Sequence, residues 1–243
     1  MKAPVMPNQN AAPLNPLPPV VWLLVLPLIA IEIVLALGQA GLMGGPEAIG
    51  WRLQAIERFA FSPDAFWWMV QNGRWPLDTA LRTVTYPVAN GSFTSALFGA
   101  VMLLALGKMV AEVFRWWAVL VLFFAGTIVA ALVFALLPTS GFPLFGSFPP
   151  IYALIGAFTW LLWVRRRAMG TNGGGAFRMI GFLLAIQPVF ALVQWMISPQ
   201  PAVQWYWAWS WLAELSSFAT GFLLSYLVAP GGWQRLMAQL RNR

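Results

Sequence analysis

The stretch Phe145-Gly-Ser-Phe-Pro-Pro-Ile-Tyr-Ala-Leu-Ile-Gly-Ala-Phe158 decides how this chain is read. A turn without a single charge feeds directly into an apolar helix, and such a turn is at home in a bilayer. The rest of the sequence agrees. Of 243 residues, 60% are hydrophobic and 9% charged, with a mean hydropathy of +0.73. A soluble domain carries about 25% charged residues, so most of this surface faces something other than water. The class is an all-α polytopic membrane protein.

Two absences narrow the chemistry. With no cysteine there is no disulfide, thiol nucleophile or thiolate metal site. With no histidine there is no imidazole to act as general base or metal ligand. No metal and no cofactor is expected. The net charge of +7 lies at helix ends, where it sets orientation, and not in a nucleic-acid-binding patch.

Outward from the quoted stretch, the apolar runs predict six spans, at about 20–41, 92–107, 116–137, 151–164, 179–197 and 206–229. A span needs about 20 residues to cross about 30 Å of hydrocarbon, so the fourth is short, as for an element buried among others. Pro27 and Glu32 interrupt the first span, and Pro188 lies in the fifth. Residues 1–19 predict a disordered tail and 232–243 a basic one, flanking a domain at 20–231. The long connection 42–91 is rich in tryptophan (Trp51, Trp67, Trp68, Trp75) with balanced charge, a composition suited to the headgroup region. Short helices are expected at 47–59 and 64–71. With six spans both termini share a side. That side holds Lys2, Lys108, Arg115, Arg165, Arg166, Arg167, Arg178, Arg235, Arg241 and Arg243, ten of the fourteen basic residues. Both ends are therefore expected in the cytoplasm, and the Ala-, Trp- and Gly-rich usage points to a bacterial inner membrane.

Motif by motif, the chain resembles the rhomboid intramembrane serine proteases. Arg82-Thr-Val-Thr85 is similar to their Trp-Arg-x-x-Thr entry to the second span, with Leu81 in place of the tryptophan. Asn90-Gly-Ser-Phe-Thr-Ser-Ala-Leu-Phe-Gly99 resembles His-Gly-Ser-Trp-x-His-Leu-Leu-Phe-Asn. Ile151-Tyr-Ala-Leu-Ile-Gly-Ala-Phe158 resembles the helix that follows the nucleophile motif Gly-x-Ser-Gly, and Ala213-Glu-Leu-Ser-Ser-Phe-Ala-Thr-Gly221 resembles Ala-His-x-Gly-Gly-Phe-x-x-Gly. The resemblance implies a rhomboid-like six-helix bundle with a long interfacial first loop. It also implies that each catalytic position has changed. Phe148 stands at the nucleophile, Pro149 at the glycine after it and Glu214 at the base, while Asn90, Ser95 and Gly99 replace two histidines and an asparagine. Of the oxyanion contributors only Asn90 can still donate. Tyr152 keeps the place of an aromatic that packs on the lost histidine.

A serine hydroxyl needs a base within about 3 Å to attack a carbonyl, and phenylalanine has no lone pair to offer. Losing one oxyanion donor alone costs about 10²–10³ in rate. A Ser–Lys pair through Ser147 is the remaining serine option. It fails on reach, because Lys108 lies about 24 Å of helix from Ser92. An acid pair of Glu32 with Glu214 is the other residual arrangement, disfavoured because spans one and six need not bring the two together. Glu214 itself reads in two ways: a partner- or proton-binding acid facing a cavity, or a neutral glutamate hydrogen-bonded by Ser216, Ser217 or Thr220. Ala153 with Ala157, and Ser217 with Gly221, are small pairs that bring spans four and six together.

The expected function is that of a rhomboid-like pseudoprotease, a catalytically inactive member that binds transmembrane segments of partner proteins. It would serve a membrane complex as assembly factor, chaperone or structural subunit. The partner-binding candidates are Trp67, Trp68, Trp75, Phe148, Tyr152, Trp195 and Glu214, with a groove for the bound segment along span five. The alternative is an intramembrane serine protease with an unconventional active site. A transporter is disfavoured by the lack of an internal inverted repeat or a polar lining.

Overall fold

The computed structural model describes residues 16–139 and 141–229. The expected tails lie outside the described residues, apart from 16–19. Nine α-helices organise the described chain: α1 (Pro19–Gln39), α2 (Trp51–Phe59), α3 (Pro63–Asn72), α4 (Leu77–Thr85), α5 (Phe93–Ala111), α6 (Trp116–Leu136), α7 (Phe148–Ala168), α8 (Gly175–Ile197) and α9 (Pro201–Val228). Five of them, α1, α5, α6, α7 and α9, are long and apolar enough to cross a membrane. α8 has 23 residues and lies where the fifth span is expected. The side chains of 179, 182, 183, 186 and 187 are outside the described set. The class is a polytopic helical bundle, as the sequence predicts.

The fourth span corrects the sequence reading. It is not short: α7 runs for 21 residues, from Phe148 to Ala168. Pro149 and Pro150 fall in its first turn, where a missing N–H is no loss. At the other end Arg165, Arg166 and Arg167 stay helical. The Arg167 guanidinium lies over the Trp163 ring, 4.3 Å from its centre, a cation–π contact at the helix end.

α7 packs on α5, α6, α8 and α9, and α1 packs on α5. The α7–α9 seam is the tightest. A Cβ at Gly156 would fall on the carbonyl of Phe218, and one at Gly221 on the carbonyl of Ala153. Ala153, Ala157 and Ser217 are fully buried there, so the expected small pairs do bring the backbones together, with Gly156 as a further member. Without such approach, lipid would solvate the two helices as well as they solvate each other.

Between α1 and α5 the connection folds into a 3₁₀ turn at Pro46–Gly50, α2, α3, α4 and a second 3₁₀ turn at Tyr86–Val88. α2 and α3 match the helices expected there, whereas α4 was read only as the entry to the next span. Ser62 caps α3 by accepting from the Ala65 N–H at 3.3 Å, and Ser92 caps α5 by accepting from Ser95 at 3.2 Å, satisfying donors that a helix start leaves open. The connection is tied to the α6–α7 turn by an antiparallel bridge. Phe61 N–H donates to Leu144 O at 2.9 Å and Leu144 N–H to Phe61 O at 2.8 Å.

Candidate functional site

The head of α7 is set by its approach. Gly146 sits at φ +101°, a conformation only glycine adopts readily, and its N–H donates to Tyr86 O at 3.2 Å. That turn drops Ser147 into the interior, fully buried. Both the Ser147 N–H and its Oγ lie 3.3 Å from Asn90 Oδ1. A backbone N–H can only donate, so the amide oxygen must face Ser147. Asn90 Nδ2 is left buried without a hydrogen-bond partner. Gly99 completes the packing, since a Cβ there would collide with Ser147 Oγ.

The cluster continues towards α1. Arg52, on α2, donates through Nη1 to Asn90 O at 2.9 Å. The same guanidinium grips Glu32 with both nitrogens, Nη2 to Oε1 at 2.6 Å and Nη1 to Oε2 at 3.0 Å. Glu32 is only 7% exposed, and the two-pronged geometry is the strong form of such a pair. Glu32 is thus committed to Arg52, and the disfavoured acid pair of Glu32 with Glu214 is not assembled. The two acids also line different cavities, Glu32 one between α1 and α5, and Glu214 one between the head of α7, α8 and α9.

That second cavity, of about 70 Å³, is bounded by Leu144, Phe145, Phe148 and Pro149 from α7 and its approach, Phe190 and Ala191 from α8, and Tyr206, Trp207, Ser210, Trp211 and Glu214 from α9. The residues at the expected nucleophile and base positions thus share one chamber. Phe148 also leans on Phe98, with ring centres 6.4 Å apart. The hydroxyls near Glu214 donate to backbone carbonyls. Ser216 donates to Ala213 O at 2.7 Å, Thr220 to Ser216 O at 2.8 Å, and Ser217 to Pro149 O at 2.5 Å. Serine and threonine in helices commonly turn back on their own carbonyls, and Ser217 is spent joining α9 to α7. Among the described residues Glu32 has an ion pair, with Arg52, and Glu214 has none.

Tyr86 lies close enough to feel the Glu214 charge. Its hydroxyl donates to Thr127 O at 3.1 Å. Burial holds the phenol well above its ordinary titration range, and the Glu214 carboxylate pushes it further, so Tyr86 is neutral at any physiological pH.

Beside the chamber, a wider apolar groove of about 410 Å³ opens between α8 and α9, lined by Pro188, Ala191, Leu192, Trp195, Ala208 and Trp211. Ala191 and Trp211 belong to both spaces. Of the remaining candidates, Trp195 stands half-exposed in this groove. Tyr152 is buried in the bundle core. Ser95 sits in the capped first turn of α5. Trp67, Trp68 and Trp75 are all exposed, and Trp67 Nε1 also donates to Ala135 O at 2.7 Å. Sequence reasoning missed Arg52, whose pairing with Glu32 depends on a long loop folding back, and Ser147 as the occupant of the space beside Gly99.

An all-helical membrane bundle, with a glycine-entered helix at its centre and a small-residue seam to its last span, is the class this fold defines. Residues 78–231 match the family model described as Rhomboid domain, and the chain belongs to the rhomboid family. No curated protein and no solved structure matches the chain.

Proposed function

We propose that this member of the rhomboid family works by binding and not by cleaving peptide bonds. The observation that carries the reading is the chamber wall. Phe148 and Glu214 stand there in the places that the resemblance assigns to nucleophile and base, in a chain with no histidine. Serine attack needs a general base beside the hydroxyl. Against Ser147 as a substitute stand its complete burial and its hydrogen bond to the Asn90 carbonyl oxygen, an acceptor far too weak to take a proton at neutral pH.

The bound species is a transmembrane segment of a partner protein. The groove between α8 and α9 is apolar and opens to the side, which suits a helix arriving from lipid. The protein then serves as an assembly, chaperone or structural subunit in a bacterial inner membrane, with both termini on the cytoplasmic side as the basic residues suggest. Trp68 and Trp75 belong to the interfacial anchor of the first loop.

A photoreactive residue tests this in native membranes. Placed at 195 or 148 it should yield discrete adducts with membrane proteins, while the same residue at Leu223, on the exposed face of α9, should not. Equal labelling from all three positions, or none from any, would count against the groove.

A further inference from the structure

An acidic side chain inside a membrane helix costs a few kcal/mol unless it is paired. Glu32 has its cation. Glu214 has none among the described residues, and the three nearby hydroxyls donate to backbone carbonyls instead. Its carboxyl faces a chamber whose other walls are largely aromatic: Phe148, Phe190, Tyr206, Trp207 and Trp211. Ring faces attract cations, tryptophan most strongly. A lone carboxylate with aromatic walls is a poor metal site, because hard cations demand several oxygen ligands, but it suits a single ammonium group.

Ala191 and Trp211 line both chamber and groove, so the two spaces adjoin there and a side chain projecting from a helix in the groove points towards the chamber. The stem of a lysine is apolar and can lie along Leu192 and Trp195 while its charged end reaches inward. Resting on the binding reading above, we infer that the partner segment carries a lysine within its membrane-spanning stretch, and that Glu214 is the counter-charge that receives it. This names the class of partner: a helix unstable in lipid until its lysine is matched.

The test uses the full chain in proteoliposomes and two dansyl-labelled Leu/Ala transmembrane peptides, one with a central lysine and the other with norleucine, which keeps the stem and removes the charge. Energy transfer from the chain's tryptophans reports binding. The lysine peptide should bind about tenfold more tightly, and in Glu214→Gln the ratio of the two affinities should fall to about one. Equal binding of both peptides by the unaltered chain, or a preference that survives Glu214→Gln, would overturn the inference and leave the groove intact. Binding of neither peptide would overturn the groove and the inference together.

Discussion

Two carboxylates lie within membrane helices of this protein, and they are treated in opposite ways. Glu32 on α1 is gripped by both terminal nitrogens of Arg52 and almost wholly buried. Glu214 on α9 faces an aromatic chamber with no cation among the described residues. The first acid is matched from within, by a loop that folds back over the bundle. The second keeps its capacity unspent. The proposed partner lysine rests on that difference between the two acids.

The contrast can be broken most forcefully at the matched acid. Arg52→Ala leaves Glu32 buried without its cation, and should cost about 3–5 kcal/mol in denaturant unfolding. Replacing both partners with apolar residues, Glu32→Leu with Arg52→Met, should recover most of that loss. Recovery will be incomplete, because Arg52 also holds Asn90 O. A smaller effect is expected at the α7–α9 seam. Ser217→Ala removes the buried bond to Pro149 O and should cost about 1 kcal/mol, read as a lower melting temperature in detergent. The smallest belongs to the unmatched acid. Glu214→Gln should not destabilise the fold, since no ion-pair partner among the described residues is lost. If Glu214→Gln proved as damaging as Arg52→Ala, the two acids would be alike and the contrast would be gone.

How much of this could be read beforehand differs by region. The bundle was legible, because a span announces itself through an unbroken apolar run and a seam through small residues four apart, as at Ser217 and Gly221. Helix ends were less so. The fourth span looked short only because hydropathy falls at Pro149 and at Arg165, while prolines fit a first helical turn and arginines extend a last one. The Glu32–Arg52 pair was hidden by distance along the chain: no local pattern reveals that α2 turns back towards α1. Gly99 is instructive in another way. Motif comparison presents it as a lost asparagine, but packing gives it a present purpose, since Ser147 Oγ fills the volume a side chain would need. The loss at one position and the burial at the other are a single steric fact.

The central claim, that this rhomboid-family chain retains the bundle without peptide-bond chemistry, is most directly tested by exposing the purified protein to a fluorophosphonate probe alongside a transmembrane peptide substrate. The account predicts no labelled serine and no cleavage at any pH at which the fold survives. Labelling and cleavage that both vanish on Ser147→Ala would contradict it.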